Sequence, residues 1–134
     1  MNQPKRTLTL YPENYAICRL HPDQSIPAWA IQSDASFFSI TRSQDELSII
    51  CPRLNVPQNV PEGLVVDAGW RCLKLNGPFD LDEPGILASV VTPLARAGLS
   101  VFAVATYDTD HLLVQKLDEA IAALENASYQ VINN

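Results

Sequence analysis

The chain has 134 residues, enough for one ordinary domain or for two small ones sharing a core. Hydrophobic residues make up 47% and charged residues 18%, which excludes a disordered chain. The formal net charge of -6 argues against a nucleic-acid partner, which would need clustered Lys and Arg.

In chain order, residues 7–10 and 15–20 read as strands separated by Pro12 and Asn14, an opening hairpin. Residues 21–25 form a loop, and Pro27 opens a short helix or turn over 26–30. Strands at 36–41 and 46–51 flank the polar turn Arg42-Ser43-Gln44-Asp45. From Cys51 to Gly69 the prolines Pro52, Pro57 and Pro61 oppose a long helix, leaving an extended crossover with an edge strand over 64–66.

The stretch from Trp70 to Val114 carries most of the information. Its opening strand stops at Asn76 and Gly77-Pro78, because proline gives a sheet no donor and glycine takes up the turn. Asp82, Glu83 and Pro84 have the chemistry of a helix entry. Gly85 follows, where the missing Cβ lets a bound group approach the backbone. Ile86, Val90, Leu94 and Ala97 recur at helical spacing up to Gly98, which predicts a helix over 84–97, bent by Pro93.

Residues 100–106 are apolar on both alternating faces, the pattern of a central strand covered on two sides. The turn Thr106-Tyr107-Asp108-Thr109-Asp110 leads into a hairpin partner at 111–114. A helix over 116–126 and a last strand over 128–132 complete a β-α-β-β-α-β order, the ferredoxin-like split unit of the α+β class, with antiparallel sheets and helices on one face.

Residues 35–50 align without gaps on residues 99–114, pairing Ser36 with Ser100, Phe38 with Phe102 and Ile49 with Leu113. Few identities survive in this echo. It suggests a degenerate first unit over 1–61 and a complete second unit over 62–134, sharing one cooperative core.

Cys18, Cys51 and Cys72 are odd in number and sit in apolar runs, so they read as reduced and buried. No CxxC occurs, and His21 and His111 do not supply zinc spacing, so neither a metal nor a cofactor is expected. The first fifteen residues lack a signal-peptide core. The longest apolar run, 85–105, contains Pro93, Arg96 and Gly98 and changes period midway, so no membrane span is expected and the location reads as cytoplasmic. There is no nucleophile elbow, no phosphate-cradling P-loop and no His placed with a nucleophile and an orienting acid, so no enzyme is expected.

Three strings in order carry a family resemblance: Trp70-Arg71-Cys72-Leu73-Lys74 with Gly77-Pro78, then Gly85-Ile86-Leu87-Ala88, then Ala105-Thr106-Tyr107-Asp108-Thr109-Asp110-His111. The chain resembles ACT-domain proteins, specifically the tandem variant found in bacteria and in the CASTOR-type cytosolic arginine sensors. The resemblance implies that an amino acid binds where the loop after the first strand meets a neighbouring unit, its carboxylate received by amides at the helix start, here Gly85 and Ile86. It also implies that Thr106, Tyr107 and Asp110, in the pattern T-aromatic-x-x-D, help to hold the ligand, with Asp108 a nearby second acid. A carboxylate suits a guanidinium or ammonium through charge-assisted hydrogen bonds, which makes arginine or another cationic amino acid the expected ligand. The same Asp108-Thr109-Asp110 is also ordinary hairpin-turn chemistry.

The expectation is a non-catalytic, amino-acid-binding regulatory protein, a homodimer that passes occupancy to an effector protein. The alternative is a ligand-free structural or interaction module of the same fold. Whether units of one chain pair with each other or with those of a second chain stays open.

Overall fold

The computed structural model describes residues 6–32, 34–77 and 84–134. Two compact units divide the chain, Met1–Pro12 with Arg71–Asn134, and Glu13–Trp70. The strands β1 (Thr7–Leu20) and β4 (Val65–Leu75) each contribute one part to either unit. The apolar side chains gather into two buried clusters, one per unit.

The larger unit carries the helices α1 (Ile86–Arg96) and α2 (Leu117–Asn126) on a sheet ordered β7-β1-β4-β6-β5, with β5 at Phe102–Ala105, β6 at Asp110–Val114 and β7 at Gln130–Asn133. Strand side chains alternate between faces, so Leu8 and Leu10, Leu73 and Leu75, and Leu112 and Val114 all point the same way. They meet Val90, Leu94, Ala120, Leu124 and Tyr129, which puts both helices on that one face, as the split βαββαβ unit requires. Burying each leucine contributes roughly 1.5–3 kcal/mol, and this shared layer fixes where each helix begins.

One pairing departs from an antiparallel sheet. β7 runs parallel to β1, from Thr7↔Gln130 to Leu10↔Asn133, because the first part of β1 occupies the place beside β4. Pro12 does not split β1 into a hairpin. It falls between the stretch that pairs β7, residues 7–10, and the stretch that pairs the strand β3 (Leu47–Pro52), residues 15–20, so neither register asks it for a donor.

The central-strand reading of residues 100–106 is corrected. β5 is the terminal strand of its sheet and is largely exposed, while β6, paired on both sides, is buried throughout. The apolar pattern was read correctly, but it reports side-chain type and not what covers it.

Both helices end alike. After α1, the Leu99 amide donates to Leu94 and the Gly98 amide to Ala95, with Gly98 at φ 77°. After α2, Tyr129 donates to Leu124 and Ser128 to Glu125, with Ser128 at φ 71°. These are Schellman closures, and only the first has the glycine that the left-handed position favours.

In the smaller unit, β3 lies between β2 (Ser39–Arg42) and the second part of β1, in antiparallel registers such as Ile40↔Ile49 and Cys18↔Ile49. The β2–β3 turn is closed by the Ser43 amide donating to Glu46 at 2.9 Å. The helical turns at Ala28–Ala30 and Arg53–Asn55 are single 3-10 turns, and among the described residues this unit has no α-helix. Its core is Ala16, Cys18, Leu20, Ala30, Leu47, Ile49, Cys51, Val56 and Leu64. All three cysteines are buried and outside any disulfide, and burial pushes the Cys18 thiol up to about 11 and that of Cys51 to about 12, which keeps both protonated. Residues 65–66 and the strand from Trp70 are one strand, β4.

Candidate functional site

The candidate site lies at one end of the larger unit's sheet, built from the end of β4, the start of α1 and the β5–β6 turn. Asn76 pins the end of β4. Its amide N–H donates to the Thr7 carbonyl at 2.9 Å, and its side-chain Nδ2 donates to Thr9 Oγ1 at 3.0 Å. The Arg71 guanidinium adds a bond to the Tyr11 carbonyl at 3.2 Å. The expected helix entry at Asp82 and Glu83, like Pro78, lies outside the described residues.

α1 begins at Ile86, two residues later than predicted, after Gly85 in the left-handed region at φ 79°, ψ 4°. A Cβ at Gly85 would meet nothing within 4 Å, so the glycine answers to backbone conformation and not to crowding. The first helical bond runs from the Ser89 amide to the Gly85 carbonyl at 2.9 Å. The N–H groups of Ile86, Leu87 and Ala88 precede any intrahelical acceptor, and Gly85 supplies no side-chain cap. Ile86 and Leu87 turn their side chains to the core, which leaves their backbone as the part able to meet a ligand.

The β5–β6 hairpin ends at the same edge of the sheet, since Asp110 pairs with Leu75 on one side and Ala105 on the other. Thr106 closes the turn, its amide donating to the Thr109 carbonyl at 2.9 Å and its hydroxyl to the same oxygen at 2.5 Å. The predicted contact residues therefore separate by environment. Tyr107 is 75% exposed, and Thr106 and Asp108 are exposed on the turn. Asp110 is only 9% exposed and, by its register with Leu75 and Leu112, faces the side of the sheet that carries the helices. Burial raises its carboxyl above the usual aspartate range, because a carboxylate there has lost water. The structure thus gathers Asp110, the end of β4 and the turn residues at one end and on one sheet, the end from which the chain leaves for α1.

Two further groups border this end that the sequence patterns did not mark. Ser89 Oγ donates to the Ile86 carbonyl at 2.8 Å and lies 2.9 Å from the Tyr129 hydroxyl, tying the first turn of α1 to the start of the β7 segment. On the opposite face, His111 is 7% exposed, with Tyr11 at 6.0 Å between rings and Lys74 paired across the strands. Burial, reinforced by the Lys74 charge, pulls the His111 imidazole down to about 4, so it is neutral at pH 7. The alternation of β6 could have placed His111 and Lys74 side by side, but no local spacing signals a serine–tyrosine bond across forty residues. Among the described residues, no cluster of His, Cys, Asp and Glu is arranged to hold a metal, and no helix is long and apolar enough to cross a membrane.

Residues 65–126 match the family model of the ACT domain, and residues 13–59 match a separate model for an N-terminal domain. Residues 65–126 are thus an ACT domain. It is similar to the Agobacterium tumefaciens protein Atu0741, a solved structure, at 41% identity with a TM-score of 0.86, covering 98% of this chain and 96% of that one. Among curated proteins it is similar to human CASTOR3P, at 38% identity over 61% of this chain and 56% of that protein. It is also similar to the human protein named cytosolic arginine sensor for mTORC1 subunit 1, at 30% identity over 61% of this chain and 26% of that protein. The chain therefore matches about half the length of the first curated relative and about a quarter of the second.

Proposed function

We propose that this protein is a non-catalytic regulatory sensor that binds an amino acid where its ACT domain meets a second ACT unit, and that it works as a homodimer and signals to an effector protein. The observation that carries the reading is Asp110, an aspartate largely sequestered from water at the start of β6, on the helix side of the sheet. Ionising a buried carboxylate is costly unless a cation arrives, so the group favours a ligand with a guanidinium or ammonium tail. The amides of Gly85 and Ile86 take the ligand's carboxylate at the positive end of α1. Thr106, Tyr107 and Asp108 line the approach, with Asp108 adding negative charge in solvent. The similarity to a named arginine sensor supports arginine as the first candidate. On this reading residues 1–61 are a degenerate ACT-like unit and residues 62–134 the complete one.

A ligand-free interaction module is the rival reading, favoured by the exposed apolar strand β5. A thermal-shift panel of the twenty amino acids separates the two. A sensor gains roughly 2.7 kcal/mol at one hundred times the dissociation constant, which raises the midpoint by several degrees for one or a few cationic members. No response to any member supports the rival.

A further inference from the structure

The two hydroxyl contacts of Ser89 have a direction. Its Oγ lies 2.8 Å from the Ile86 carbonyl, an oxygen that can only accept, so the single Ser89 hydroxyl proton is committed there. The 2.9 Å contact with Tyr129 then has one sense: the Tyr129 O–H donates and Ser89 Oγ accepts. The bonds form a chain from Tyr129 through Ser89 to the Ile86 carbonyl.

That carbonyl shares its peptide group with the N–H of Leu87. A proton donor on the oxygen draws electron density from the nitrogen through the amide resonance, so the N–H becomes a stronger donor, and successive bonds in a chain reinforce one another. Like those of Ile86 and Ala88, the Leu87 N–H precedes any intrahelical acceptor. Leu87 is also the second residue of α1, a position whose amide a capping side chain ordinarily receives, and Gly85 has no side chain to do so. The donor end of the chain is held still. Tyr129 is 8% exposed, its ring belongs to the core beneath the helices, its own amide donates to Leu124 at 3.0 Å, and the next amide, Gln130, donates to the Arg6 carbonyl at 2.9 Å.

We propose that Tyr129 and Ser89 are positioning residues for the amino-acid site, a hydroxyl relay that polarises the Leu87 amide and makes it the chief donor to the ligand's α-carboxylate. The identity of the anion rests on the reading above, while the relay rests on the hydrogen bonds alone. Leu87 thereby joins the Gly85 and Ile86 amides, and the relay sets a chemical requirement on the ligand. An ionised α-carboxylate gains a charge-assisted bond from the strengthened N–H, whereas an α-carboxamide offers it a neutral oxygen and gains much less.

The test has two arms on the full chain. In the ligand-free, isotope-labelled protein, Tyr129→Phe, which keeps the ring, and Ser89→Ala should each move the Leu87 amide proton upfield in the NMR spectrum, by more than those of Ile86 and Ala88. The double variant should move it no further than Ser89→Ala, because the two hydroxyls act in series. In the second arm arginine and argininamide are titrated into wild type and Tyr129→Phe. Affinity for arginine should fall by about two- to fivefold and affinity for argininamide should hold, whereas a general loosening of α1 would weaken both. A Leu87 proton that stays in place in both single variants, an unchanged affinity for arginine, or an equal loss for the two compounds would each overturn the proposal. Wild type that binds neither compound, with the Leu87 proton still moving as stated, would sink the sensor reading and leave the relay standing.

Discussion

Asp110 and His111 are adjacent on β6, face opposite sides of the sheet, and are shifted by burial in directions that act oppositely on stability. His111 titrates near 4 folded against about 6.5 unfolded, so below 6.5 the unfolded chain binds more protons and stability falls with pH. The loss is about 2 kcal/mol at pH 5 and about 3 at pH 4, levelling off a little higher below that. Asp110 works the other way, since its raised folded value means that protonation on acidification favours the fold. Urea unfolding at pH 7 and pH 5 should therefore show a smaller loss in His111→Gln than in wild type, and an equal loss in both would rule out a buried neutral imidazole. For Asp110, replacement by Asn should raise the ligand-free midpoint at pH 7 while weakening the ligand response, the signature of a group kept for binding at a cost in stability. The Thr106–Asp110 pattern was legible in the sequence, whereas the burial of Asp110 was not. Turn acids are usually solvated, and this one is flanked by Leu75 and Ala105, which only the register brings beside it.

At the scale of elements, the order of strands and helices from Trp70 onward was legible because spacing and turn residues agree with the packing of each element. The errors fall where tertiary pairing decides. Pro12 reads as a break but sits where β1 changes partners, and β5 reads as central but ends the sheet. The two helix endings supply a prediction at this scale. Ser128 holds a left-handed conformation that Gly98 takes up without strain in the equivalent closure of α1. Such a conformation costs a residue with a side chain roughly 1–2 kcal/mol, so Ser128→Gly should raise stability by about 1 kcal/mol once the added freedom of the unfolded glycine is subtracted. An unchanged or lowered urea midpoint would mean that the Ser128 side chain offsets the strain.

For the whole molecule, the apolar side chains gather into two core clusters, and two long strands each contribute a part to both units. The echo between residues 35–50 and 99–114 marks two similar hairpins, but no local pattern reports that residues 7–10 join the C-terminal unit. A ligand bound to the assembled form stabilises it only by its differential affinity, so occupancy and assembly should be linked in both directions. The most direct measurement is calorimetric titration of the amino acid that most stabilises the wild type into wild type and Asp110→Asn, with arginine tried first. Loss of a charge-assisted bond worth about 1.5–3 kcal/mol should weaken the variant's affinity by roughly ten- to more than a hundredfold, with its fold intact. Equal affinity in the two proteins, or no binding of any amino acid to the wild type, would contradict the account.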